Sequence, residues 1–326
     1  MVFGCIASLM AIVFVLLHAA EALAWGPGVH LATGNYLLAE AARFGPAVAA
    51  LLGQHPGAFL YGCLSADIFI GKGSTFTPRH SHNWSTGFRL LNQSRTPLLA
   101  AYAYGYLTHL AADIVAHNYY VPAMLGITPG GGKLSHVLVE MRADWEVDWS
   151  PGQARGVFRA MHREEDAVLL ASLQRPHLPF LLKKQLYRRG FPLSAPNGLA
   201  SRLAQVRLRF PQTRALLVPG RFCNDDYCRE MLDLTLAVAA EFLREPETSA
   251  AVQFDPIGSN ALATVKSLRR EQRGEAAVPE LNRLFPLPGC LLRLLPAFPR
   301  VFRSEEDVAP ASPPPSSCSY GEDAPE

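Results

Sequence analysis

The chain has 326 residues, of which 49% are hydrophobic and 18% charged, and its 30 Lys and Arg against 28 Asp and Glu leave a formal net charge of +2. The ample apolar content excludes a disordered chain and a collagen-like repeat. A charge this close to neutral also excludes a strongly basic nucleic-acid binder.

The start of the chain is typical of a secretory signal peptide. Residues 2–17 form an uncharged apolar run, which is shorter than the roughly 20 residues that span a bilayer. His18 and Glu21 then interrupt the apolar pattern, and Ala22-Leu23-Ala24 has the small-x-small pattern of a cleavage site. A membrane anchor is the alternative interpretation. Cleavage after Ala24 predicts an exported protein, secreted or periplasmic, that begins at Trp25.

Along the rest of the chain, apolar residues recur at helical spacing, and no strand-like alternation of useful length is present. The predicted helices are Leu31–Phe44, Pro97–Tyr120, Lys133–Asp148, Gly152–Gln174, Asp225–Arg244 and Ala261–Arg273. Proline and glycine predict loops at Gly126–Gly132, Pro176–Pro179 and Pro192–Gly198. Residues 303–326 are rich in Pro, Ser and acidic residues, which predicts a disordered tail.

Three residues of metal-ligand type recur every four positions in the predicted helix Pro97–Tyr120: His109, Asp113 and His117. Four residues advance an α-helix by about 400°, so the three side chains form a stripe on one face. Their neighbours are mostly Ala, Leu, Tyr, Ile and Val, which indicates a buried helix. Burying two imidazoles and a carboxylate is costly unless these groups are paired or bind a metal.

His136 and Glu140 repeat the spacing in the following predicted helix. A single pair of this kind is more often an ion pair on a helix surface, worth a few tenths of a kcal/mol. The same pattern on two consecutive helices instead favours a metal site. Imidazole and carboxylate ligands without cysteine are typical of catalytic rather than sealed structural zinc.

Further candidate ligands precede these helices. Asp67 lies in the otherwise apolar run YGCLSADIFIG, and a buried carboxylate is again costly without a partner. His80 and His82 lie in the segment PRHSHNW, and Trp25 and His30 stand at the start of the mature chain.

On these residues the chain resembles the zinc-dependent phospholipase C superfamily, which includes bacterial phospholipases C, relatives of glycosylphosphatidylinositol phospholipase D and, more distantly, single-strand-specific zinc nucleases. The resemblance implies an all-α, multi-helix orthogonal bundle around a trinuclear zinc site, here with a helical C-terminal extension. A free amino-terminal Trp is a ligand in this superfamily, and cleavage after Ala24 provides one. The implied metal ligands are Trp25, His30, Asp67, His82 (or His80), His109, Asp113, His117, His136 and Glu140.

The chemistry implied by the resemblance is hydrolysis of a phosphodiester by zinc-activated water, with up to three zinc ions as cofactor. Asp113 is the candidate bridging carboxylate, and Asp67 is either a zinc ligand or the acid–base group that orients the attacking water. Choline-selective relatives carry an aromatic residue after the loop Asp and an acidic residue near the Trp. Here Ile68 and Gly28 occupy these positions, so choline selectivity is not predicted.

The expected activity is phospholipase C-like hydrolysis of a phospholipid head-group phosphodiester. The alternatives are a zinc nuclease or a phospholipase D-type enzyme on the same fold, and a noncatalytic zinc-binding envelope protein. The expected partners are a phospholipid or another phosphodiester substrate and the surface of a membrane, without specific binding of nucleic acid.

The sequence patterns and the resemblance together predict a domain organisation. Residues 1–24 are the signal peptide, and residues 25–190 form the zinc-dependent phospholipase C-like domain. Residues 191–302 form a helical accessory region, and residues 303–326 form the disordered Pro/Ser-rich tail.

Overall fold

A computed structural model of the protein describes residues 25–69, 79–127, 133–175, 177–194, 225–271 and 285–295. Every regular element in these ranges is helical, so the predicted all-α fold class is confirmed. The predicted signal peptide and tail lie outside the described residues, and the predicted domain boundaries stay predictions. No helix within the described ranges is both long and apolar enough to span a membrane.

The α-helices are α1 (Pro27–Ala39), α2 (Pro46–Gln54), α3 (Pro56–Ser65), α4 (Trp84–Asn92), α5 (Pro97–Val115), α6 (Val121–Ile127), α7 (Lys133–Asp144), α8 (Pro151–Arg159), α9 (Arg163–Leu173), α10 (His177–Ser194), α11 (Asp225–Arg244), α12 (Ser259–Glu271) and α13 (Gly289–Leu292). Short 3₁₀-helices lie at Ala41–Phe44, Ala66–Ile68 and Ala250–Gln253, and a π-helical turn lies at Ala116–Tyr120.

Proline marks the start of many of these helices. Helices α1, α2, α3, α5 and α8 each have proline in the first turn, where its fixed φ suits the helix and its missing N–H costs nothing. In α10, which begins at His177, Pro179 also lies in the first turn. The loop predicted for Pro176–Pro179 is therefore wrong from His177 onward, because proline is compatible with the first turn of a helix, whereas Pro176 lies outside the described residues.

Two of the predicted helices are interrupted. The single helix predicted for Gly152–Gln174 is two helices in the structure, α8 and α9. The helix predicted for Pro97–Tyr120 becomes a π turn from Ala116 onward. The amide of Asn118 stabilises this turn, because it donates to the carbonyl oxygens of Ile114 (3.0 Å) and Asp255 (2.8 Å). The π turn changes the helical register beyond Asp113.

Helix α5 lies at the centre of the fold, with α3, α4 and α11 packed around it. Its crossing with α3 depends on two glycines. A Cβ on Gly62 would lie 2.2 Å from the carbonyl oxygen of Tyr102, and one on Gly105 would lie 2.0 Å from that of Phe59. The two backbones are therefore in direct contact, which brings the carboxyl end of α3 against the middle of α5.

Candidate metal centre

Five ligand-type side chains meet where α3 and α5 cross, and we call them the His–Asp cluster. His30 comes from α1, Asp67 from the turn Ala66–Ile68, His82 from the segment before α4, and His109 and Asp113 from α5. Each of them is at most 1% exposed. Five of the ligands predicted from sequence are thus brought together.

The carboxylate of Asp113 has a histidine on each side. Its Oδ1 lies 3.3 Å from Nε2 of His30, whereas its Oδ2 lies 3.3 Å from Nε2 of His109 and 3.4 Å from Nε2 of His82. Because the two oxygens face different imidazoles, Asp113 has the placement that a bridging carboxylate requires.

Asp67 closes the other side of the cluster. Its Oδ1 lies 3.0 Å from Nε2 of His82 and 3.7 Å from Nε2 of His109. Two sets of ligand atoms therefore lie within 4.8 Å of one another: His30, His109 and Asp113 form one set, and Asp67, His82 and His109 form the other. Nitrogen and carboxylate oxygen donors of this kind suit zinc.

The outer ring nitrogens are held by the protein, so that the inner ones face the cluster. Nδ1 of His109 lies 2.9 Å from the carbonyl oxygen of Cys63, to which it donates, and Nδ1 of His82 lies 2.9 Å from Oγ of Ser81. The bond to the Cys63 carbonyl fixes the tautomer of His109 and leaves its Nε2 with a lone pair for a metal. The Nε2 atoms of His109 and His82 lie only 3.1 Å apart, an arrangement that a shared cation stabilises.

The structure separates His82 from His80, the two alternatives for one ligand. Nδ1 of His80 accepts a hydrogen bond from the backbone N–H of His82 (3.2 Å), and the carbonyl oxygen of His80 accepts one from the hydroxyl of Thr86 (2.8 Å). These contacts, together with that between the Tyr106 hydroxyl and the Ser81 carbonyl, fix the segment with His82 in the cluster.

The two stacked histidines of the cluster have opposite pKa shifts. The rings of His30 and His109 lie 3.8 Å apart. Burial and the charge of His109 hold the pKa of His30 below its usual value. Burial also lowers the pKa of His109, but the charges of Asp113 and Asp67 outweigh it and raise this pKa above its usual value.

Trp25 is fully buried beside the cluster. Its indole N–H donates to the carbonyl oxygen of Ala112 (3.0 Å), the residue before Asp113, and its ring stacks on Tyr120 at 4.8 Å. The first residue of the expected mature chain is therefore fixed next to α5, close to the ligands that this helix carries.

Three predicted ligands remain, and the structure describes the side chains of two of them. His117 lies in the π turn and Glu140 in α7, and both are buried. Helix α7 also contains His136, but its side chain lies outside the described residues. The assignment of these three residues as metal ligands stays a prediction.

Asp144 is a buried group that the sequence analysis missed. Its Oδ1 accepts a hydrogen bond from the backbone N–H of Val29 (2.9 Å) at the start of α1. A Cβ on Gly26 would lie 2.2 Å from its Oδ2, so the carboxylate is in close contact with the residue that follows Trp25. Burial raises the pKa of Asp144 to about 8, although the bonds from the Val29 and Gly28 amides oppose this. Asp144 thus fastens the amino-terminal segment to α7, one turn after Glu140.

Tyr187 is a second missed group, and it comes from α10. Its hydroxyl oxygen is buried and has no hydrogen-bond partner of good geometry. Burial raises the pKa of Tyr187 well above its usual value, and the charge of Asp67 has the next largest effect, so the hydroxyl faces the cluster. Asp144 follows His136 and Glu140 at the same four-residue spacing, which is the sequence signal that marks it, whereas no local motif marks Tyr187.

Residues 29–180 match a family model described as zinc-dependent phospholipase C. The matched range contains the whole His–Asp cluster, and also His117, His136 and Glu140. No curated protein and no solved structure matches the chain.

Proposed function

Since residues 29–180 belong to the zinc-dependent phospholipase C family, we propose that the chain is an exported enzyme that hydrolyses the head-group phosphodiester of a phospholipid. Zinc is the cofactor of the family, and the His–Asp cluster has the donor set to hold it. The observation that carries the proposal is the pair of overlapping ligand sets that share His109. Two adjacent cation positions are typical of phosphodiester hydrolysis.

Each group of the cluster has a defined part in this reaction. Zinc, when bound, lowers the pKa of water and takes up the charge that develops on phosphate oxygens. Asp113 presents one oxygen to each side of the cluster, and the carbonyl of Cys63 fixes the tautomer of His109. The position of Asp67 in one ligand set supports a ligand role. Because the cluster is buried, electrostatic interactions within it are stronger than in water.

The first experiment measures zinc and diester hydrolysis on protein that begins at Trp25. We expect bound zinc, and hydrolysis of phospholipid to diacylglycerol and a phosphorylated head group. His109→Ala removes a residue shared by both ligand sets and should abolish both properties. His55→Ala is a matched control, because His55 lies before α3 and makes no side-chain capping bond.

The substrate panel separates the alternatives. Release of phosphatidate indicates D-type cleavage, and turnover of single-stranded nucleic acid without turnover of lipid indicates a nuclease. Zinc binding without turnover of any diester indicates a noncatalytic zinc-binding protein. A protein without zinc, or a His109→Ala variant with unchanged zinc content, contradicts the site assignment.

Processing provides a second test, because the proposed amine ligand exists only after cleavage before Trp25. A form that retains the leader, or one with an added Met before Trp25, should bind less zinc than the mature form. Equal zinc content and equal activity in the two forms would refute the role of Trp25.

A further inference from the structure

Exposed leucines cluster on the first turns of α10. Leu178 is 80% exposed, Leu181 41% and Leu182 64%, and they are three of the five large apolar side chains exposed among the described residues. Single exposed apolar residues are ordinary, but a contiguous group often marks an interaction surface.

The opposite face of α10 is anchored in the protein. Phe180 is 1% exposed and its ring stacks on that of Phe69 at 5.5 Å. Leu178 and Leu182 are four residues apart and share a face of the helix, and each lies two residues from Phe180, which places them about 200° away from it. Leu178 and Leu182 therefore point away from the protein while the helix itself is fixed, and the less exposed Leu181 lies between this face and the anchored one.

The charge of α10 is entirely basic. The helix contains Lys183, Lys184, Arg188 and Arg189 and no acidic residue. Lys184 is paired with Asp166 at 2.6 Å, whereas the other three make no ion pair within the described part of the chain. Arg189 is exposed on the same side as Leu182, and Lys183 and Arg188 are half-buried at the flanks of that face. Exposed leucines flanked by cations are typical of a helix that lies in the interface of a bilayer with anionic lipid.

This surface lies close to the His–Asp cluster. Phe69, on which Phe180 packs, is two residues from Asp67, and the Tyr187 hydroxyl of the same helix faces that carboxylate. The helix that carries the exposed leucines thus also borders the His–Asp cluster.

We propose that Leu178, Leu181 and Leu182, with Lys183, Arg188 and Arg189, form the surface by which the protein docks on a phospholipid bilayer that contains anionic lipid. The proposal deepens the proposed function, because it says how the substrate reaches the site, and it rests on that function for its biological meaning. Binding to vesicles, however, is measured independently of hydrolysis.

The test compares the mature protein with the triple variant Leu178→Ser, Leu181→Ser, Leu182→Ser. Sedimentation with sucrose-loaded phosphatidylcholine vesicles, with and without one fifth phosphatidylserine, gives the bound fraction. We expect the wild type to bind, more so with phosphatidylserine, and the triple variant to bind at least about tenfold more weakly. Leu292→Ser is the matched control, since Leu292 is 43% exposed on α13, and it should bind like the wild type.

Two further experiments test the basic residues of the surface and the effect of the leucine substitutions on hydrolysis. Lys183→Glu with Arg189→Glu should remove the gain due to phosphatidylserine and leave binding to pure phosphatidylcholine. Hydrolysis of a short-chain phospholipid below its critical micelle concentration should be the same in the triple variant and the wild type, whereas hydrolysis of vesicles should fall with binding.

Several results would overturn the docking surface. These are equal vesicle binding by the triple variant and the wild type, equal loss of activity on monomeric and vesicle substrate, or a dimer in sedimentation velocity that the leucine substitutions dissociate. If vesicle binding depends on the leucines but no lipid is hydrolysed, the docking surface stands and the proposed function fails.

Discussion

Two groups of buried polar side chains in the described part of the protein border helix α3. One is the His–Asp cluster. The other, which we call the Asp166 cluster, is held together by the Asp166 carboxylate, which lies 2.6 Å from Nζ of Lys184 and accepts from the Tyr61 hydroxyl. The members of the Asp166 cluster are Tyr61, His162, Glu165, Asp166 and Lys184.

The Asp166 cluster contains its own cation. Nζ of Lys184 also lies 4.6 Å from the centre of the Tyr61 ring. The ring of His162 stacks on the Tyr61 ring, with 3.8 Å between the ring centres. Nδ1 of His162 lies 2.9 Å from Glu165, and its Nε2 lies 2.7 Å from the carbonyl oxygen of Val157. Donors thus meet acceptors within the chain, as buried polar groups require.

The His–Asp cluster is arranged differently, since its imidazole nitrogens and carboxylate oxygens converge on a common space. Among the described residues, the groups with metal-ligand spacing come from this cluster and not from the Asp166 cluster. Burial of polar groups alone therefore does not identify a functional site. Convergence of lone pairs does, because it creates a place for a cation that the chain does not supply.

The largest expected effect is that of Asp113→Asn, which keeps the shape of the side chain and removes its charge. We expect kcat/KM for phospholipid to fall by about a thousandfold or more, because the bound cations contribute several kcal/mol of charge stabilisation. Zinc per chain, measured by mass spectrometry, should fall as well. Asp166→Asn is the matched change in the other cluster and should leave the zinc content intact. Equal zinc loss in both variants would contradict the distinction.

Removal of zinc should lower the unfolding free energy only when the His–Asp cluster is intact. Chelation should lower the unfolding free energy of the wild type by about 4 kcal/mol relative to a zinc concentration a thousandfold above Kd. Calorimetry should show the same difference for Lys184→Met and little or none for Asp113→Asn. A full difference in Asp113→Asn would place the metal elsewhere.

Lys184→Met should lower the unfolding free energy by about 3 kcal/mol, because it leaves the buried Asp166 carboxylate without its cation. Urea denaturation of the zinc-bound protein measures this change. The double variant Lys184→Met, Asp166→Asn removes both charges and should regain most of the loss. If the single variant is as stable as the wild type, the Asp166 cluster is not held together by this ion pair.

The smallest expected effect is that of Tyr187→Phe, which removes one hydroxyl and keeps the ring packed on Phe158 and Phe191. We expect kcat/KM to fall about tenfold with zinc content unchanged, since a hydrogen bond from this buried hydroxyl to a charged phosphate of the substrate would be worth about 1.5 kcal/mol. Tyr104→Phe, a half-buried tyrosine of α5, is the control and should be neutral. Loss of zinc in Tyr187→Phe would instead give the hydroxyl a purely structural role beside Asp67.

Much of the candidate site could be predicted from the sequence. His109 and Asp113 were expected on one helical face from their spacing, and both face the same cluster. His30, Asp67 and His82 join them from separate segments. The spacing of His117 was less informative, because the π turn at Ala116–Tyr120 changes the register after Asp113.

Other parts of the site could not be predicted. His80 and His82 stand two residues apart in the same segment, and the tertiary structure distinguishes them by placing the His82 imidazole against Asp67 and His109. Tyr187 belongs to no local motif and is far from the other site residues along the chain. Asp144 continues the four-residue spacing of His136 and Glu140, but only the fold brings its carboxylate against the backbone N–H of Val29.

The sequence by itself determined the helical class, the order of the ligand-type residues and the pairing of His109 with Asp113, because these depend on composition and on spacing along one helix. Only the tertiary structure decided which buried polar groups converge and which are paired. The reason is the direct contact of α3 with α5 at Gly62 and Gly105, which places Asp67 against residues more than forty positions later in the chain.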